Sequence, residues 1–336
     1  MRCQKSYGLL ILLALLLILY NEYFIFFYAF YKCQWSCHQN RCPENGLKAF
    51  IISDTHLLGQ RNGHWLDKLK REWQMRQSYH ISTWLHTPDV VFFLGDLLDE
   101  GQWAGRTLFS TYAQRFRRLF SVDEKVIALA GNHDLGFHYV ISPDTVDQFK
   151  KEFQRDIIDE IQIKNHSFIL INSMAMHGDM CGLCREAEKQ LEEIAKRNRK
   201  NRPIVLQHFP LFRKSDKSCQ KLDEYHVLDH KEQYRERWDT LSQEASQKIA
   251  EKLHPRAVFG GHTHKLCKRS WNLRNGESFY EYTLNSFSWR NGDLPAIFMV
   301  VIEDQNVSKR RPRAEPGKQT THLNPVSLSN FVPSPI

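Results

Sequence analysis

A chain of 336 residues is long enough to bury a substantial core, and after its first forty or so residues it fits one large α/β domain better than two small ones. The formal charge of +8 does not point to nucleic acid, because the basic residues are dispersed and the one dense run, "KRRPR" at 309–313, lies in a polar tail. Charge alone decides nothing further, but the lack of a coherent basic stripe argues against a polynucleotide partner.

Residues 1–7 precede "GLLILLALLLILYNEYFIFFYAFY", which runs from Gly8 to Tyr31 with only Asn21 and Glu22 interrupting it. About 20 residues cross a hydrocarbon core at 1.5 Å each. A cleaved signal peptide carries an apolar region of about 7–15 residues that ends in small side chains. This run is longer and ends in aromatics, so an uncleaved transmembrane anchor at 8–31 is expected, with Tyr20 to Tyr31 as an interfacial belt. Glu22 is the awkward residue, costing ~2.5 kcal/mol or more if central.

Arg2, Lys5 and the amino terminus slightly outweigh Lys32 and Arg41, which favours a cytosolic N-terminus and a luminal remainder. Acceptor sequons at Asn165 ("NHS") and Asn306 ("NVS") agree, and so does the cysteine usage. Seven cysteines follow the span: Cys33, Cys37 and Cys42 in a linker over 32–47, then Cys181, Cys184, Cys219 and Cys267. An odd number leaves one thiol over. "CGLC" at 181–184 lacks the second CxxC of a zinc site, and in an oxidising lumen a structural disulfide is a better reading than a redox pair.

Over 48–308 apolar runs alternate with amphipathic stretches. The runs are "KAFIIS" ending at Ser53, "DVVFFLG" at Gly95, "KVIALAG" at Gly131, "SFILIN" at Asn172, "PIVLQ" at Gln207, "AVFGG" at Gly261 and "AIFMVVI" at Ile302. Helical patterns fill the intervals, notably 65–86 and 185–200, and the stripe Trp65, Leu69, Trp73 reads as core. This alternation predicts βαβ units and an α/β fold. From Lys309 to Ile336 the chain is Pro-, Ser- and Asn-rich, which predicts a disordered tail.

Five of the predicted strands finish in metal-ligating residues: Asp54 and His56 in "SDTH", Asp96 in "GDLLDEG", Asn132 in "GNHD", His208 in "QHFP", and His262 with His264 in "GGHTH". In open α/β sheets such ends converge on one crevice. In extended backbone, residues two apart point the same way, so Asp54 with His56, and His262 with His264, can turn toward one centre. Glycines at 95, 131, 260 and 261 permit close backbone approach. Each motif alone reads as a turn, a cap or a satisfied histidine. Five in one chain give a donor set too large for one ion and sufficient for two, with Asp96 as the natural bridge. Mixed O and N donors suit Mn2+, Fe or Zn2+ better than Ca2+.

These motifs, DxH, GDxxDxG, GNHD, a later His and GHxH, in that order over 48–302, resemble the calcineurin-like metallophosphoesterase superfamily. The resemblance implies a four-layer αββα sandwich. It also implies two divalent ions, one on Asp54, His56, Asp96 and His264, the other on Asp96, Asn132, His208 and His262. His133 would stand beside them without coordinating, serving the leaving group, while Asp134 would orient its ring. His64, Asp99 and His138 stay open, the last between a substrate contact and a structural hydrogen bond.

Stretches such as "DTHLLG", "GHWLDKLKREWQM", "GNHDLGFHY", "CGLC", "EASQK" and "SFSWRN" resemble, more closely, the membrane-bound members that trim an ethanolamine phosphate from the mannose core of GPI anchors. That resemblance implies a Mn2+-dependent phosphodiesterase. Its substrates would be GPI-anchored proteins and its partners ER-export cargo receptors. It would reside at ER exit sites, the ER–Golgi intermediate compartment and the cis-Golgi, with its catalytic domain luminal. Those members also carry a second apolar span near their C-terminus, whereas this chain is polar after Lys309. A metal-dependent phosphoprotein phosphatase, or another generic phosphoesterase, would use the same metals and is the alternative.

Overall fold

In the structure, a computed structural model, the described residues are 2–35, 46–120, 125–178, 181–197, 202–220, 233–291, 295–303 and 323–327. The N-terminal segment is helical throughout: α1 (Arg2–Leu19), a π-helical turn over Tyr20–Phe24, and α2 (Ile25–Tyr31). Residues Tyr7–Tyr31 are the one stretch, among those described, long and apolar enough to cross a membrane, and little of it is buried against the rest of the chain. The turn at Asn21 and Glu22 interrupts the α-helix where the apolar run is interrupted, and the Asn21 side chain donates back to the Leu17 carbonyl at 2.9 Å.

All seven predicted apolar runs are strands. β1 (Leu47–Ile52), β2 (Val90–Phe93) and β3 (Val126–Ala128) lie parallel, with β10 (Ala296–Ile302) antiparallel to β1. In the second sheet β5 (His166–Ile171), β6 (Ile204–Gln207), β7 (Ala257–Gly260) and β9 (Ser278–Thr283) are parallel, flanked by antiparallel β4 (Ile158–Ile163) and β8 (Cys267–Asn272). The flanking strands β4 and β8 and the strand β9 were not among the predicted runs. β4 and β8 are only half-buried and carry charged or polar residues such as Asp159, Glu160, Lys268 and Arg269, so no continuous apolar run marks them.

Two sheets pack face to face through Ile51, Phe92, Phe168, Leu206, Phe259 and Phe298, with the Phe92 and Phe168 rings 4.9 Å apart. Helices α3 (Trp65–His86), α4 (Arg106–Phe120) and α6 (Pro143–Phe153) cover the outer face of the first sheet, with the one-turn α5 (Asn132–Leu135) following β3; α7 (Gly182–Arg197) and α8 (Gln243–Leu253) cover the second. The result is the expected four-layer αββα sandwich. In α7 the buried residues are Cys184, Ala187, Leu191 and Ile194, a 3-4-3 spacing that puts one stripe on the sheet. Ser142 and Ser242 cap α6 and α8 through Thr145 N and Ala245 N, and α3 stops at left-handed Thr87 before Pro88.

One expectation about burial and one about the tail need correction. Trp65 and Leu69 are exposed rather than core, because α3 faces the sheet with Met75, Ser78, Tyr79 and Ser82; Trp73 packs edge-on against Tyr23 of the N-terminal segment instead. The segment expected to be a disordered tail contains β11 (Leu323–Ser327), antiparallel on β10. β10 would otherwise be a sheet edge, and edge strands accept added strands, even one containing Pro325. The other residues from 304 on lie outside the described residues, as does the sequon at Asn306; Asn165 is exposed in the β4–β5 turn.

Cys181 and Cys184 form the expected disulfide, and a second joins Cys219 to Cys267 at the start of β8. Cys33 is a free thiol; Cys37 and Cys42 lie outside the described residues.

Candidate metal centre

The carboxyl ends of β1, β2 and β3 and of β6 and β7 open on the same edge of the sandwich, and the strand-end motifs meet there. Asp54, His56 and His264 form one group of ligand atoms and Asp96, His208 and His262 another. Within them, His264 Nε2 stands 3.3 Å from Asp54 Oδ1 and 3.2 Å from His56 Nε2. Asp96 Oδ2 lies between the groups, 3.5 Å from His56 Nε2 and 3.3 Å from His208 Nε2. Asn132 Oδ1 is 3.2 Å from His208 Nε2. The seven predicted ligands are thus brought together, with Asp96 at the middle.

The backbone that achieves this is not extended. Ten non-glycine residues among those described have positive φ, and five of them are Asp54, His56, Asp96, His262 and His264. The expected reason for the DxH and HxH spacing was a common face of a strand; the actual one is left-handed turns that throw each side chain inward. Such conformations cost about 1–3 kcal/mol each and persist where surrounding structure over-determines them. Glycines do that work here. A Cβ on Gly95, whose φ is +101°, would stand 2.7 Å from His208 Nδ1, and one on Gly131 or Gly261 would collide with Asp96 or Asp54. Gly260 meets nothing closer than 3.4 Å, so its role is the weakest of the four.

Three of the four candidate histidine ligands have their second ring nitrogen tied down, which fixes the nitrogen that faces the centre. His208 Nδ1 donates to the Leu94 carbonyl at 2.9 Å, His56 Nδ1 to Asp99 Oδ1 at 3.1 Å, and His262 Nε2 to the Trp238 carbonyl at 2.8 Å. Nε2 of His208 and His56, and Nδ1 of His262, are left as lone-pair donors, the arrangement that raises ligand basicity at metal sites. Asp54 and Asp96 are fully buried. Burial opposes their charge, yet facing imidazoles, His264 and His208 for Asp54 and His208, His133 and His56 for Asp96, hold both well below the usual carboxylate range. His208 shows the converse: burial disfavours its charge, but Asp96 and Asp54 push it up to about 9. Burial and then the neighbouring His208 push His262 down to about 3. Two buried carboxylates ringed by neutral-capable imidazoles and an amide oxygen are a donor set that fits two divalent ions.

His133 stands beside the groups with its side chain a third exposed, its ring edge-on to His56 at 4.7 Å and its main-chain N donating to Asp96 Oδ1 at 2.8 Å. Its Nδ1 donates to the main-chain carbonyl of Asp99 at 3.0 Å. Asp134 does not orient this ring, contrary to expectation. Its carboxylate accepts from the main-chain N–H groups of Leu97, Leu98 and Gly131 at 3.2, 2.9 and 2.8 Å, pinning the GDLLDEG loop to the GNHD loop. Burial, and next the Asp96 carboxylate, push Asp134 up to about 7. Asp99, left open by the sequence, supplies both the carboxylate behind His56 and the carbonyl behind His133. The signal was its place as the second acid of GDxxDxG. His64 caps α3 by accepting from Leu66 N, and His138 Nδ1 donates to the Met174 carbonyl at 3.0 Å, so both have structural roles.

The calcineurin-like phosphoesterase family model matches residues 47–266. The chain is 66% identical over 304 residues to a Metallophosphoesterase 1 homolog of Caenorhabditis elegans, covering 90% of this chain and 83% of that one. It is 37% identical over 320 residues to Metallophosphoesterase 1 of Gallus gallus, covering 87% and 79%, and 38% identical over 309 residues to that of Mus musculus, covering 84% and 76%.

Proposed function

The chain belongs to the calcineurin-like phosphoesterase family and is a metal-dependent phosphoester hydrolase, and we propose that it is a phosphodiesterase that removes ethanolamine phosphate from the mannose core of GPI anchors. The observation that carries the chemistry is Asp96 Oδ2 lying within 3.5 Å of histidines from both ligand groups, the position from which one carboxylate would serve both. In this reading Asp54, His56, Asp96 and His264 would hold one ion, and Asp96, Asn132, His208 and His262 the other, with Mn2+, Fe and Zn2+ all compatible with the donors. Bound there, the ions supply Lewis acidity to the phosphoryl oxygens and lower the pKa of water.

The chain's own residues do the rest. The carbonyl of Asp99 fixes the His133 proton on Nδ1 in the neutral ring, which leaves Nε2 to carry the proton given to the departing sugar oxygen. Asp96 pushes the His133 pKa upward against burial, as a proton donor requires. Asp134 keeps the two loops in register so that this ring and Asp96 stay adjacent.

The substrate reading is supported by the stretches between the motifs and by the identity to Metallophosphoesterase 1 proteins. The apolar helix Tyr7–Tyr31 supports a membrane anchor; a luminal catalytic domain in early secretory membranes, acting on GPI-anchored proteins and meeting ER-export cargo receptors, completes the proposal. The full chain should release ethanolamine phosphate from a GPI glycan and act little on phosphopeptides or DNA. Equal turnover of all three would reduce the assignment to a generic phosphoesterase. External protease that digests the catalytic domain in sealed microsomes would overturn the luminal orientation.

A further inference from the structure

Apart from the N-terminal helix, large apolar side chains are exposed in only two places among the described residues. Trp84 stands beside that helix; the others flank the metal-site loops, Trp65, Leu66, Leu69 and Trp103 following the DxH and GDLLDEG loops and Trp238, with the loop tip at 139–140, lying beside His262. Four of them belong to one lip. Trp65, Leu66 and Leu69 open α3 immediately after the DxH loop, and Trp103 follows GDLLDEG, with the Arg61 guanidinium 5.4 Å from its ring. They are 50–67% exposed. The loop between them is tied to the site: Glu100 accepts from Arg61 N and Asn62 N, and Asn62 Nδ2 reaches Asp99 Oδ2. Monomeric soluble surfaces rarely gather large apolar groups in this way, and tryptophan with leucine is the composition of membrane interfaces.

The same helix is seated on the membrane segment. Tyr23 packs edge-on to Trp73 at 5.3 Å, Phe27 lies 6.2 Å from Trp84, and His86 Nε2 meets the Phe30 carbonyl at 3.0 Å. These contacts advance in the same sense along both helices, so the start of α3 points back toward the apolar stretch and away from the linker. Leu66 and Leu69 lie about 6 to 10 Å beyond Trp73 in that direction, at 1.5 Å per residue. Trp73 and Trp84 thus join the span to α3, and Leu69 and Leu66, one and two turns before Trp73, extend the same helix toward the DxH loop.

We infer that Trp65, Leu66, Leu69 and Trp103 insert into the bilayer interface next to the anchor, so that the metal centre opens onto the lipid surface and takes phosphoesters borne by membrane-resident molecules. The inference rests on the membrane-anchored reading above and adds where the bilayer lies relative to the site. It differs from a simple tether, in which the domain would swing free and its mouth would face bulk water. Insertion of this lip explains why apolar side chains flank a catalytic cleft whose own floor is polar, and the short loop from His56 to Trp65 sets the distance between membrane and metals.

The test uses the full chain in nanodiscs of phosphatidylcholine brominated near the headgroup end of its acyl chains. No tryptophan lies between Tyr7 and Tyr31, so quenching of tryptophan emission reports residues outside the span. Trp65→Phe with Trp103→Phe should lower the quenched fraction; an unchanged fraction overturns the inference. Independently, Leu66→Glu with Leu69→Glu should slow turnover of a bilayer-borne GPI glycolipid about tenfold or more while leaving a soluble nitrophenyl phosphodiester unaffected, as expected from the lost apolar burial. Equal loss on both substrates overturns it. Should the wild-type chain not cleave the glycolipid while the quenching difference holds, the proposed substrate fails and the docked lip stands.

Discussion

The carboxylate of Asp99 accepts from His56 Nδ1 at 3.1 Å while its main-chain carbonyl accepts from His133 Nδ1 at 3.0 Å, so one residue sets the tautomers of a candidate ligand and of the histidine proposed to serve the leaving group. The two roles are separable, because substitution removes the carboxylate and leaves the carbonyl. Asp99→Ala is expected to weaken metal binding about 10- to 100-fold, the usual effect of losing the acid behind a ligating histidine. The His133 ring stays held. Titration with Mn2+ should show activity recovering at higher metal concentration; a loss that no metal concentration restores would assign Asp99 a direct part in turnover.

Asp134 is expected to act through stability. Its carboxylate satisfies three buried main-chain donors, and each such donor left unpaired costs about 1–3 kcal/mol. Asp134→Ala should lower the unfolding midpoint of the metal-free chain and also its activity, whereas His133→Ala should leave the midpoint nearly unchanged. Differential scanning fluorimetry of both variants separates them, and equal midpoints would return Asp134 to a purely catalytic role.

Seven strands and the candidate ligand positions were legible in sequence because fully buried strands read as continuous apolar runs, and five of those runs end in polar groups that gather at a single edge. What escaped detection lacked such a pattern. β4 and β8 flank the second sheet with polar, half-buried strands, and β11 sits in a stretch whose composition resembles a linker. The left-handed turns at Asp54, His56, Asp96, His262 and His264 have no glycine to announce them, since the strain falls on the ligands themselves. The apolar stripe at Trp65 and Leu69 reads as core by its period, and only the position of the N-terminal helix against Trp73 and Trp84 shows which way it faces.

Gly131 sets the closest approach between the GNHD turn and the bridging acid. Its φ of −112° suits any residue, so backbone strain plays no part; the difficulty is that an added methyl collides with Asp96. Gly131→Ala should therefore displace Asp96 and lower metal stoichiometry, measured by elemental analysis of the purified chain, with a matching loss of activity. Full occupancy in that variant would show that the loop yields and that Asp96 is not tightly placed.

The last prediction separates His133 from the ligands beside it. Asp96→Ala removes the carboxylate shared by both groups and should abolish metal occupancy and activity together. His133→Ala removes no predicted ligand, so metal content should be unchanged while turnover falls by about 10² to 10⁴, the usual worth of a positioned acid. The deficit should also depend on the leaving group. A nitrophenolate departs without needing a proton, so the variant should approach wild-type rates on a nitrophenyl ester and remain slow on an alkyl or sugar ester. If His133→Ala empties a metal site, or slows both esters equally, His133 is a ligand or a stabiliser of phosphoryl charge, and the proton held at its Nε2 has no part in departure of the sugar oxygen.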